Sequence, residues 1–396
     1  MCIAVAAALL AVPVDAAGRS KTQRLGGLGD GAGGLTLMAA PDGRFAALWV
    51  TRHDVRFSWA SRSGVFTAPR VVPGSTTSLL PNVNHPVLAT AGGGRAALAW
   101  RSNSKVLVAL VRGDRISKAR PAGASDTLAG IVLSPHDRTA VAFGYNGSAY
   151  LGVSSPSGRF HSPELVAAKG TSEGIYVRGR RPVVVYVAGT SLLERTRLAP
   201  GLFSAPRLIA NIGTGAHFSL STAPDGSEVG LWDDGTHLQS AARDPGGRMR
   251  ITVLGADSTG ARGNGAVSIA MGGHGTVGWS DGSGFFAAGR RAPGNAFGDF
   301  TVVPSFASGD PGSMVAATGP QGWGALVWAV VVPSDPYTPA GAGAVLVSPS
   351  GKLGDVTALE RGNWPLGAAV SGRVAVIAWI PRHGGILVAR TRLPRR

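Results

Sequence analysis

Eight aromatic residues mark the chain at nearly even intervals: Trp49, Trp100, Phe143, Tyr186, Trp232, Trp279, Trp328 and Trp379, separated by 51, 43, 43, 46, 47, 49 and 51 residues. A period held across most of 396 residues constrains the fold more than any motif does. It requires one small supersecondary unit to repeat, in place of two or three unrelated domains. Each aromatic closes a short apolar run: RFAALW, RAALAW, TAVAF, VVVY, SEVGLW, TVGW, GALVW and VAVIAW. Apolar residues at successive positions describe a strand covered on both faces.

The units continue alike beyond the aromatic. A polar, Gly-rich turn follows, such as TRHD, RSNSK, GYNGS or DDGTH, and then a further apolar strand such as VLVALVR or AYLGVSS. An outer segment comes next, clearest in 66–72, 160–166 and 203–209, where Pro69, Pro163 and Pro206 recur. Proline removes a ladder hydrogen bond, which suits a sheet edge and discourages edge-to-edge association. One more strand precedes each aromatic run, as in LTLMAA, PVLATA or VSIAM. Four-stranded units of ~40–50 residues repeated around an axis are the pattern of a β-propeller.

The triplet Pro-Asp-Gly occurs twice at one place in this unit, at Pro41-Asp42-Gly43 and Pro224-Asp225-Gly226. It reads as the turn between the innermost strand and the second, with Gly supplying positive φ without a Cβ clash. The strand-end aromatics are expected to pack against the next blade. Eight blades are expected, with seven as the alternative count. The last unit stops without an edge strand, and residues 19–28 belong to no unit. This N-terminal segment is therefore expected to complete the last blade and close the ring, hiding its apolar faces. The insertion VVVPSDPYTPAGAG stretches unit seven.

The pattern resembles that of the secreted bacterial β-propellers grouped with sialidase-like, WD-repeat-like and TolB-like repeat proteins. The resemblance implies the fold over nearly the whole chain and carries no functional residue, because neither the sialidase Asp-box nor a regular Gly-His…Trp-Asp pair is present.

Apolar residues make up 44% of the chain and charged residues 15%, enough apolar material for a core and too much for general disorder. The formal charge is +16, carried mostly by scattered Arg. Such a balance attracts polyanions at long range, but no basic run reaches the length of a nucleic-acid arm. Residues 1–16 form an apolar stretch with small residues at Val14-Asp15-Ala16, and read as a secretory signal that lacks a basic start. Residues 17–396 are then the propeller, exported to the cell envelope or beyond and expected to be monomeric. Cys2 is the only cysteine, so disulfides and cysteine-held metals are not expected. No cofactor and no metal site is expected.

The loops between second and third strands share one face with the interblade crossings, around the mouth of the central channel. They carry His53, Asp54, Asn103, Asn146, Asp233, Asp234, His237, Asp281 and His383, while the crossings add Asp126, Glu173, Asp310 and Trp364. Polar groups and aromatics at a concave mouth suit a glycan or a peptide. On the opposite face Arg62, Arg112, Arg197, Arg243, Arg290 and Arg392 fall near the ends of third strands. A ring of Arg there would hold phosphate, sulfate or carboxylate groups.

Catalytic motifs fail on context. Gly170-Thr171-Ser172-Glu173-Gly174 matches GxSxG but reads as an interblade loop with no helix to follow, so it is no nucleophile elbow. Residues 29–34 match GxGxxG and read as a flexible lead-in. The reading is an exported, non-enzymatic propeller that binds a glycan or a protein through one loop face. The alternative is a carbohydrate-active hydrolase or lyase at the channel mouth, which requires two carboxylates at defined separation.

Overall fold

The computed structural model describes residues 21–26, 32–75, 86–134, 138–212, 218–223, 225–233, 237–244, 250–256, 265–280, 286–295, 297–303, 310–332, 335–359, 367–381 and 385–394. Every regular element among them is a β-strand. The strands form eight antiparallel sheets, seven following the chain in order and the eighth built from both ends of it. The innermost strands are Ala32–Ala39, Val87–Ala91, Thr127–Leu133, Thr171–Arg178, Phe218–Thr222, Gly265–Ile269, Asp310–Thr318 and Gly367–Ser371. Each lies against its successor, and the eighth lies against the first, so eight blades close into a ring. No helix among the described residues is long and apolar enough to cross a membrane.

Closure follows the sequence expectation. Lys21–Leu25 pairs antiparallel with Ile386–Arg392 and is the edge strand of blade eight. The Gln23 side chain reaches across to blade one. Its Nε2 donates to the Phe66 carbonyl at 2.8 Å, and its Oε1 accepts from the Phe66 amide at 2.9 Å.

Eight apolar clusters fill the gaps between consecutive blades. Alternate residues of each second strand serve opposite gaps. In blade one Phe45, Ala47 and Trp49 pack toward blade eight, whereas Ala46, Leu48 and Val50 pack toward blade two. Here the structure corrects the sequence reading: the strand-end aromatics pack on the preceding blade. Trp100 sits with Leu48 and Phe57 of blade one, and Trp232 with Tyr176 and Val185 of blade four. Period alone cannot choose between the two faces of a strand, since both are apolar.

The fourth position of a blade is split. A bridging residue (Phe66, Phe160 or Leu353) or a two-residue strand (Arg115–Ile116, Leu202–Phe203) pairs first with the third strand. Three residues outside the strands follow, the first still donating its amide to the third strand, before the edge strand resumes at Arg70, Arg120, Glu164, Arg207 or Thr357. Pro69, Pro163 and Pro206 end those breaks, where the missing N–H costs no ladder bond. The insertion in unit seven is not a loop. It extends the second and third strands of that blade to Gly324–Val332 and Asp335–Val347, with register shifts near the tip.

Candidate functional site

The turns between second and third strands meet the interblade crossings on one face, as expected, and hydrogen bonds tie the two together. The Ser125 amide donates to the Ser104 carbonyl at 2.8 Å, the Gly170 amide to the Gly147 carbonyl at 2.9 Å, and the Ile212 amide to the Thr190 carbonyl at 2.7 Å. Asn103, Ser104 and Asn146 hold positive φ of 47°, 57° and 49°, which lets these hairpins close in two residues. Asp126, on the crossing into blade three, accepts from the Asn146 amide at 2.7 Å. The rim around the mouth is thus braced at three successive blades, a preorganised surface.

The residues picked from the sequence divide accordingly. His53 is exposed on the blade-one hairpin. Asp54 accepts from the Thr51 hydroxyl at 2.8 Å and pairs with the Arg56 Nε at 3.0 Å, so its carboxylate is engaged in shaping the turn. Asp233 ends the second strand of blade five and His237 begins the third, the latter exposed. Asp310 opens the innermost strand of blade seven, opposite Val331. Asp234, Asp281, Trp364 and His383 lie outside the described residues. Among the described residues no group of three His, Cys, Asp or Glu is placed to hold a metal ion.

Glu173 departs from its expected place. Residues 171–178 are the innermost strand of blade four, so the GxSxG match opens a strand. Ala32 and Gly34 of the GxGxxG match likewise belong to the innermost strand of blade one. In blade four the pairing skips from Ser172–Tyr186 to Gly174–Val185, which makes Glu173 the added residue of a β-bulge. Similar shifts occur in the innermost strands of blades one, three and seven. Burial pushes the Glu173 carboxyl up to about 7, within the range of a general acid at neutral pH.

The six third-strand Arg do not form a uniform ring, which corrects the sequence reading. Arg62, Arg112 and Arg392 are exposed, and Arg62 Nε donates to the Asp42 carbonyl at 2.7 Å. Arg197 turns to blade three and grips Glu164 with two bonds of 2.7 Å. Arg243 is buried between blades four and five. Of Arg290 only the backbone is described, while its neighbour Arg291 is fully buried and pairs with Asp244 of blade five at 2.8 Å. Guanidiniums at these strand ends therefore serve to join blades as well as to face solvent.

Arg243 belongs to a cluster that the sequence reading missed. Between blades four and five, Glu194 accepts from the Tyr176 hydroxyl at 2.6 Å, from Arg178 at 2.9 Å and from Arg207 at 2.5 Å. Arg243 bonds the Tyr176 hydroxyl at 2.8 Å and pairs with Glu228. Burial opposes the charge on Glu194, but the bonds from Arg207 and Tyr176 outweigh it and hold the carboxyl below the usual range. Burial, and then Glu194, pushes the Tyr176 hydroxyl well above its ordinary value. The signal was present in the aligned units. Glu194 faces Val185 where other blades place Phe57, Val108, Leu151 or Val388. Glu228 stands four residues before its aromatic, where Phe45, Ala96 and Ala375 stand in theirs.

No protein-family model matches the chain, and no curated protein sequence matches it. Solved structures do. A streptogramin B lyase matches with a TM-score of 0.50 at 11% identity, over 86% of this chain and 98% of that one. A protein from Lactobacillus plantarum matches with a TM-score of 0.50 at 15% identity, over 78% of this chain and 91% of that one. At such identities the likeness is one of fold alone, and it agrees with the ring of blades: the chain is a β-propeller.

Proposed function

We propose that this propeller is an exported, non-enzymatic binding module that takes a glycan or a protein ligand on its braced loop face. The carrying observation is the use of the acidic groups there. Asp54 and Asp126 are both engaged in hydrogen bonds that fix turns, which gives a preformed rim. His53 and His237 stand exposed on that face to meet a ligand. Export rests on the apolar stretch at 1–16, and the net positive charge suits an anionic envelope. The test is a glycan array probed with the whole protein while soluble products are followed by mass spectrometry. Retention on the array without product release, weakened by H53A or H237A, supports the reading. Release of cleaved product overturns it.

One observation favours a second reading, a hydrolase or lyase acting at the channel mouth. Glu173 is a half-buried carboxyl whose affinity for a proton reaches the neutral range, as a general acid requires. On this reading E173Q abolishes product release and leaves ligand retention in place.

A further inference from the structure

The blade-four to blade-five interface runs outward into a cleft whose two walls differ in chemistry. On blade five, Ile251 pairs with Ala241 and Val253 with Gln239. Directly paired residues share a sheet face, and Ala241 is buried against blade four, so Ile251 and Val253 line the cleft from that side. They are 53% and 55% exposed. On blade four, Arg207 pairs with Glu194, and its side chain is 48% exposed. The floor is the buried cluster, in which Arg178, Arg207 and Arg243 meet Glu194 and Glu228. Among the described residues of the cluster three guanidiniums stand against two carboxylates, an excess of one positive charge, and Arg207 is its most exposed member.

Among the described residues no strand pairs with the outer side of the edge beside this cleft. Arg250–Ala256 is a seven-residue edge strand without proline, whereas the edge strands of blades one, three and four begin directly after one. An unprotected edge offers a row of backbone donors and acceptors to an added strand. We propose that this cleft docks an extended segment of a partner protein, added to the blade-five edge, with apolar side chains on Ile251 and Val253 and a carboxylate on Arg207. A second copy of the chain suits the cleft poorly, because two molecules of charge +16 repel. The surface lies on the outer rim, apart from the loop face.

The test uses the full chain and two fluorescent nonapeptides with blocked ends, one alternating Asp with Val and the other Lys with Val, read by anisotropy. The expected result is saturable binding of the Asp/Val peptide alone. The I251D/V253D double variant weakens it at least tenfold, and V302D on the blade-six edge leaves it unchanged. R207K retains more of the binding than R207M, with melting temperatures measured to confirm that both are folded. Equal binding of the two peptides, or binding indifferent to I251D/V253D, overturns the proposal. So does a dimer in sedimentation that I251D/V253D dissolves, since the occupant would then be a second copy.

Discussion

The Asp225 carboxylate joins two blades: it accepts from the Ser227 amide in its own turn at 3.0 Å and from the Gly272 amide of the following blade at 2.6 Å. Asp42 repeats the arrangement in blade one, with the Arg44 amide at 3.2 Å and the Gly93 amide of blade two at 3.1 Å. Gly43 and Gly226 hold φ of 86° and 88° beside them, conformations that a side chain resists. The repeated Asp-Gly is thus a turn and an interblade clasp in one. D42A and D225A are each expected to cost about 1–3 kcal/mol, because charged hydrogen bonds are lost and turn amides are left without a partner. Urea unfolding measures the cost, and a loss below about 0.3 kcal/mol in both variants would show that the clasp contributes nothing.

Gln23 makes the same kind of link at the seam, where the N-terminal strand meets blade one through both atoms of its amide. Q23A is expected to lower stability by about 1–3 kcal/mol and to speed hydrogen exchange in 21–25 and 386–392 before other blades respond. Uniform exchange across all blades would contradict a local seam.

Glu194 makes the fold acid-sensitive. Its folded carboxyl titrates below the ordinary value of 4.5. Its contribution is therefore complete above about 4.5 and is lost as the pH falls through the lower folded value. E194Q is expected to destabilise the protein by about 1–3 kcal/mol at neutral pH, since the buried Tyr176 hydroxyl and the half-exposed guanidiniums of Arg178 and Arg207 lose a charged partner. It also flattens the acid limb of the stability curve. An unchanged pH dependence of the urea midpoint between pH 3 and 7 would remove Glu194 as the cause.

Glu173 has the opposite sign. Burial raises its carboxyl from 4.5 to about 7, so the folded state holds a proton that the unfolded chain has released across that window. Stability falls as the pH rises through it. E173Q is expected to add about 1–3 kcal/mol at pH 8 and nothing below the ordinary carboxylate value. Thermal melts at pH 4 and pH 8 decide, and equal effects at both would refute the assignment.

The architecture was legible because it repeats. Eight aromatics at even spacing announce eight units, and the edge strand of the eighth, Lys21–Leu25, falls within the 19–28 segment that belongs to none of them. The facing of those aromatics was not legible, since Trp49 and Leu48 stand on opposite faces of a strand that is apolar on both. The charged cluster was hidden for a different reason. Tyr176, Glu194, Arg207, Glu228 and Arg243 lie on five strands of two blades, and only the radial stacking brings them together. On the loop face Asp54 and Asp126 each hold a turn in place. Which carboxylate holds which amide depends on the crossing of one blade to the next, as Asp126 and Asn146 demonstrate.

The partnership of Lys21–Leu25 with Ile386–Arg392 has a mechanical consequence. Lys21 faces Arg390 and Leu25 faces Ile386, so a force applied through the two ends of the chain enters one hairpin-like pair at its open end. The strands then peel apart one bond at a time, a low-force geometry, instead of shearing all at once. Tension on the ends unfastens blade eight first and leaves seven sheets stacked.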